Sequence, residues 1–169
     1  SFLPLCHVFE RMAGHFCPIS VGATIAYAES IDTVAQNLGE VKPTIMTSVP
    51  RFFEKMYNRV LENAAAGGAA KKKIFNWALK TGAKYNKAKN KNQVGSFLQY
   101  KYNLATKLVF SKLRERVGGR LRFFVSGGAP LSKEIGEFFY SAGIKILEGY
   151  GLTESSPVIA VNLEEKFKF

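Results

Sequence analysis

The sequence predicts an α/β fold, a mostly parallel sheet flanked by helices, with a basic helical hairpin inserted between strands. Three observations carry that prediction. Short apolar, β-branched runs alternate with segments whose apolar residues recur every three or four positions, which is the signature of β-α-β units. Glycine-rich turns follow two of the strand runs, where such sheets leave their ligand sites. The middle of the chain is helical in pattern and lysine-rich, unlike either end.

Taken in order, Val21–Tyr27 reads as a buried strand. Ser30 is placed to cap a helix with Asp32 in its first turn, Ile31, Val34, Ala35 and Leu38 on one face, and Gly39 to end it. Thr44–Val49 is the next strand, and Pro50 suits the first turn of the helix that follows. That helix carries Phe53, Met56, Tyr57, Val60, Leu61 and Ala64 on its apolar stripe. The small, flexible residues 64–70 form a hinge. Ile74, Trp77, Ala78 and Tyr85 then mark one helix, residues 86–93 a looser link, and Leu98, Tyr102, Ala105, Val109 and Leu113 a second, with Gly118 and Gly119 closing the hairpin. Leu121–Ser126 is a strand that ends in Gly127-Gly128-Ala129-Pro130. Ser132 caps a helix with Ile135, Phe138, Phe139 and Ala142 on its stripe, Gly143 stops it, and Ile144–Leu147 is a strand leading into Glu148-Gly149-Tyr150-Gly151-Leu152-Thr153-Glu154-Ser155. Residues 157–162 are one more strand candidate. The chain thus divides into an α/β part (1–64), a basic helical insertion (65–119) and a second α/β part (120–169).

Composition bounds the function. At 169 residues, 47% hydrophobic and 22% charged, the chain can bury a core and is not of disordered type. No apolar run approaches the roughly 18 residues that span a bilayer. The start lacks an initiator Met and a basic leader, and residues 164–169 carry no stop signal, so the chain reads as the interior of a longer protein. Two cysteines give no disulfide framework and fit a reducing, cytoplasmic compartment. Cys6-His7 and His15-Phe16-Cys17 match no usual zinc spacing, so both thiols are expected to be buried in an apolar segment. Residues 51–120 hold 17 Lys or Arg against Glu54, Glu62 and Glu115, a net +14, while the rest is slightly acidic.

The chemistry concentrates between residues 148 and 155. Gly149 and Gly151 let backbone approach a ligand, and Tyr150 offers a flat face to a planar ring. Thr153 supplies a hydroxyl for a phosphate oxygen, and Glu154 a hard oxygen for Mg²⁺. The same residues also fit an ordinary strand-to-loop corner with a solvated glutamate.

With its neighbours this stretch resembles a known family. Residues 126–131 (Ser-Gly-Gly-Ala-Pro-Leu) and 148–155 are similar to two consecutive motifs of the adenylate-forming superfamily, and Leu3–Arg11 resembles its histidine motif. Val49–Tyr57 and the basic insertion look like the long-chain fatty-acid–CoA ligase branch. The resemblance implies part of a larger N-terminal domain of an enzyme that activates a fatty acid with ATP to acyl-AMP and pyrophosphate, then transfers the acyl group to CoA. It implies that Tyr150 lies against adenine, that Glu148, Gly149 and Gly151 pass close to the nucleotide, that Thr153 bonds the α-phosphate and that Glu154 holds Mg²⁺. Gly127, Gly128, Ala129 and Pro130 would form the opposite wall, and His7 would stand near the reacting carboxylate. The family's phosphate loop, ribose-binding aspartate motif and catalytic lysine domain do not occur in these residues, so the 169-residue chain alone is expected to be inactive.

Other readings stay open. The substrate could be another carboxylic acid, medium-chain, aryl or amino acid. The basic residues 71–120, with Trp77, Tyr85, Tyr100 and Tyr102, could instead serve a nucleic acid or lie peripheral to a membrane. Nucleic acid is disfavoured for want of a recognised motif, and the basic face shows no obvious bulky apolar wedge for insertion into lipid.

Overall fold

Four strands in the order β1-β2-β3-β4 form the centre of the computed structural model, which describes residues 1–164. β1 (Ile45–Ser48), β2 (Phe123–Ser126) and β3 (Lys145–Tyr150) are parallel, and β4 (Ala160–Val161) returns antiparallel on β3. A π-helical segment, Glu10–Phe16, runs into α1 (Cys17–Ser20), and α2 (Val34–Val41) precedes β1. Between β1 and β2 lie α3 (Pro50–Ala66), α4 (Gly68–Lys89), α5 (Ser96–Ala105), a π-turn (Thr106–Phe110) and α6 (Ser111–Glu115). α7 (Lys133–Ser141) makes the crossover from β2 to β3. The reading of residues 165–169 as a cut end lies outside the described residues.

The parallel register puts Met46, Phe124 and Ile146 side by side, and all three are buried. Phe53 from α3 and Phe139 from α7 pack on that row, with Phe53 edge-on to Phe124 at 5.2 Å and to Phe139 at 6.0 Å. Edge-to-face contact suits the ring quadrupoles, so this aromatic knot fixes α3 and α7 on one face of the sheet. A smaller core of Ala78, Ala105, Phe110 and Ala142 joins the hairpin to α7. The small alanines allow close approach of α4, α5 and the end of α7, and Tyr85 stacks on Tyr102 at 3.9 Å beside them.

Several expectations are corrected. Val21–Tyr27 is not a strand: Val21 and Tyr27 are exposed, and the segment is bound to Ser1 through Ala26 O and Ala28 N. It borders an open cavity of about 720 Å³ instead of pairing with β1. α2 begins at Val34, after Ser30 and Thr33 have exchanged side-chain-to-backbone hydrogen bonds, so Ile31 falls outside it and is exposed. Gly39 lies inside α2, and the stop is Lys42 in the left-handed region at φ 51°. The hinge narrows to Gly67, because alanines on both sides are good helix formers. On α4 the buried face carries Phe75, Ala78 and Gly82, and Ile74 points to solvent. Gly143 does end α7, at φ 77°. Cys6 and Cys17 are exposed rather than buried, as are their neighbours Leu5, His7 and Phe16.

Candidate functional site

The site grows from the carboxyl ends of β2 and β3. Ser126 and Glu148 stand in register as the last β2 residue and its β3 neighbour, so the turn after β2 leaves the sheet beside Glu148 and β3 runs two residues further before its own turn. Residues 127–130 form the first turn. Gly127 is buried under the Phe9 ring, where a Cβ would come 2.8 Å from the ring carbons, and Gly128 sits at φ 82°, a conformation that only glycine adopts freely. Gly128, Ala129 and Pro130 then project outward. The backbone N–H of Leu131 donates to Glu148 Oε2 at 3.2 Å, so Glu148 fastens the first turn to the second strand.

The histidine arm closes over this turn. His7, Leu3, Pro4 and Phe9 line a pocket of about 390 Å³ together with Gly128, Ala129 and Pro130 and the start of α3. His7 Nδ1 accepts the Phe9 N–H at 3.2 Å, which leaves Nε2 as the donor of a neutral ring. The arm is anchored by Glu10, a fully buried carboxyl that accepts hydrogen bonds from Ser1 Oγ and from Thr47 Oγ1 of β1, each at 2.5 Å. The sequence reading missed Glu10; its one legible trace was a glutamate inside an otherwise apolar arm.

The second turn differs from the expectation in two ways. Glu148, Gly149 and Tyr150 belong to β3 itself, because β4 pairs Val161 with Gly149 and Ala160 with Tyr150 and so prolongs the strand. Gly151 turns its free side to Pro157, whose carbonyl oxygen occupies the place a Cβ would take, so that side is closed to a nucleotide. Beyond it Thr153–Ser155 make one 3₁₀ turn, held by Ser155 Oγ, which accepts the Leu152 N–H at 3.0 Å. Tyr150 is 64% exposed, and Thr153 and Glu154 are exposed as well. Thus His7 and residues 128–130 share a pocket, whereas Tyr150, Thr153 and Glu154 stand free on the neighbouring strand end and do not line it.

Two further groups were illegible in sequence. Ser48 and Ser126 are in register on β1 and β2, both fully buried, and neither hydroxyl has a hydrogen-bond partner. For Mg²⁺ the described residues contain no cluster of three His, Cys, Asp or Glu. Glu154, an exposed carboxylate, suits this ion nonetheless, since Mg²⁺ usually takes one or two carboxylates and completes its shell with water and phosphate oxygens.

Comparison with known proteins bears on the family and the fold. The chain is 41% identical over 164 residues to the long-chain-fatty-acid–CoA ligase FadD15 of Mycobacterium bovis, covering 95% of the chain and 26% of that protein. It is 37% identical over 173 residues to the human long-chain-fatty-acid–CoA ligase ACSBG2, covering 99% and 26%. The chain therefore spans about a quarter of the length of these curated relatives. In fold it is similar to the N-terminal domain of FACL13 from Mycobacterium tuberculosis, with a TM-score of 0.57 at 20% identity, over 98% of this chain and 29% of that one. The model of the AMP-binding enzyme family matches residues 1–168, nearly every residue from the histidine arm to β4 and beyond. The chain belongs to the AMP-binding enzyme family.

Proposed function

We propose that these residues form part of the nucleotide and acyl site of a long-chain fatty-acid–CoA ligase. The observation that carries the reading is that the glycine-rich turn after β2 and the Gly151–Ser155 turn after β3 follow adjacent parallel strands, with His7 sharing a pocket with the first of them. A fatty carboxylate attacks the α-phosphate of ATP, pyrophosphate leaves, and the thiol of CoA then displaces AMP to give the thioester. Both partners of the first step are anions, so the residues serve mainly to align and to neutralise. Tyr150 presents an exposed ring for adenine at the end of β3, and Gly128, Ala129 and Pro130, at the end of the neighbouring β2, would form the opposing wall. Thr153 Oγ1 donates to an α-phosphate oxygen as charge develops there. His7 Nε2 donates toward the incoming carboxylate and orients it. Mg²⁺, held by Glu154, would supply positive charge to the phosphates.

The whole protein performs the reaction; the 169 residues alone do not, because the family's phosphate loop, ribose-binding aspartate motif and catalytic lysine domain do not occur in their sequence. Pyrophosphate exchange into ATP tests both statements. The complete protein is expected to exchange with long acyl chains and the isolated 169 residues to give none. Exchange driven by aryl or amino acids but by no fatty acid would reject the substrate class.

A further inference from the structure

We propose that the outer face of α5 and of the turn after it is a docking surface for membranes that contain anionic lipid. Phe97, Tyr100, Leu104 and Leu108 step by three, four and four residues along that face, and they are 71%, 66%, 38% and 46% exposed. The inner face of the same helix is already committed. Ala105 and Phe110 are fully buried against α4 and the end of α7, and Tyr102 is stacked on Tyr85. The exposed stripe is thus a second apolar face, not a frayed edge of the core.

Its surroundings are cationic. Between Asn63 and Arg114 the chain carries twelve Lys or Arg and no Asp or Glu. Lys107 and Lys112 are exposed, and Lys101 places its ammonium 4.3 Å above the Phe97 ring, where the ring face attracts it. A helix with bulky apolar residues on one solvent-facing side and lysines along its margins lies in the plane of a bilayer interface, apolar side down. The lysines draw it to anionic headgroups, and the attraction is screened within a Debye length. Leu104 and Leu108 favour lipid over nucleic acid, since aliphatic side chains bury well among acyl chains and give a sugar–phosphate backbone neither charge nor stacking.

The stripe also explains why the sequence reading found no apolar wedge. Phe97, Tyr100, Leu104 and Leu108 run one or two residues ahead of Leu98, Tyr102, Ala105 and Val109, and periodicity alone does not say which of two adjacent stripes faces the core.

Vesicle flotation with the full chain, in the absence of ATP, tests the surface. Binding is expected to phosphatidylserine-containing vesicles and not to pure phosphatidylcholine, and to weaken as salt rises. The F97S/L104S variant should partition about tenfold less at unchanged circular dichroism, and K101E/K107E should lose the response to phosphatidylserine. No binding to phosphatidylserine vesicles at low salt overturns the proposal. So does a result in which F97S/L104S binds like the unaltered chain, or in which a single-stranded oligonucleotide binds more tightly than the vesicles. Because no nucleotide is involved, failure here leaves the acid-activation reading untouched.

Discussion

Thr47 Oγ1 donates a 2.5 Å hydrogen bond to Glu10 Oε2, and this buried contact joins the histidine arm to the central sheet. Thirty-seven residues separate the two in sequence. Gly14 makes room for the carboxyl, since a Cβ there would lie 2.5 Å from Glu10 Cδ. The position of His7 beside the first glycine-rich turn therefore depends on a bond made three residues further along the arm.

Thr47→Val keeps the shape of the side chain and removes the donor. Leaving a buried carboxyl short of a partner costs about 1–3 kcal/mol. The denaturant midpoint of the complete protein is expected to fall accordingly, with Thr47→Ser close to the original value. An unchanged midpoint for the valine variant would show that the contact contributes nothing.

Glu154→Gln should separate chemistry from folding. The carboxylate is exposed, so melting is expected to be unaffected. On the proposal that Glu154 holds Mg²⁺ at the phosphates, losing its charge should lower kcat/KM by about 10²-fold or more. A variant with full pyrophosphate exchange at limiting Mg²⁺ would remove Glu154 from the site.

Most of the fold was legible because its signals are local. The apolar runs of β1, β2 and β3, proline at the start of α3 and glycine at the end of α7 act within a turn or two, and each fell where expected. What escaped depended on contacts distant in sequence. Val21–Tyr27 has strand composition, but strand composition pairs with nothing by itself. The β3 boundary moved to Tyr150 because β4, a two-residue strand, pairs there. The glycine-rich turns were recognisable one by one, whereas the Leu131–Glu148 bond that couples them and the Glu10 anchor are long-range polar contacts without periodicity. Gly151 shows the same limit, since its sequence invites a ligand contact and its structure shows a backbone one.

Alkaline pH should destabilise the protein through three phenols. Burial raises Tyr57, Tyr102 and Tyr140 above the ordinary value of 10.0, and for Tyr57 the hydrogen bond to Glu134 adds to that effect. In the unfolded chain these groups ionise near their ordinary value, so above about pH 10 the unfolded state binds fewer protons than the folded one. Stability is then fully present below that pH and declines as pH rises through the raised values. Urea titrations across this range should show the decline, and Tyr57→Phe should reduce its slope. A slope that rises with pH would contradict the assignment.

Gly151→Ala places a methyl group where the Pro157 carbonyl oxygen lies. That oxygen is backbone and cannot swing aside, so the loop from Leu152 to Pro157 must shift and carry Thr153 and Glu154 with it. Pyrophosphate exchange is expected to be lost while the far-ultraviolet spectrum, dominated by α3 and α4, stays unchanged. Retained exchange would show that the loop adapts without moving Thr153 and Glu154, or that the two side chains do not serve the reaction.

The hairpin reaches the site through the end of α7, and Gly82 is where that coupling is tightest. A Cβ on Gly82 would collide with the Ser141 carbonyl oxygen and come 3.1 Å from the Phe110 ring. Nearby, Asn86 Nδ2 donates to Tyr140 O at 2.7 Å and Arg114 Nε donates to Ala142 O at 3.1 Å, so the last carbonyls of α7 are satisfied by the hairpin rather than by solvent. α7 begins three residues after Pro130, so any displacement of it displaces the Gly128–Pro130 wall. Gly82→Val should cost about 2–3 kcal/mol by overpacking, and Asn86→Ala about 1 kcal/mol for its hydrogen bond. Both act on the same few backbone atoms. Once valine has pushed α4 away, the Asn86 bond is already broken, and the double variant should lose clearly less than the sum of the two. The KM for ATP should rise in each single variant, because the wall moves although no nucleotide ligand has been removed. Additive losses with an unaltered KM would mean that the hairpin and the wall are independent.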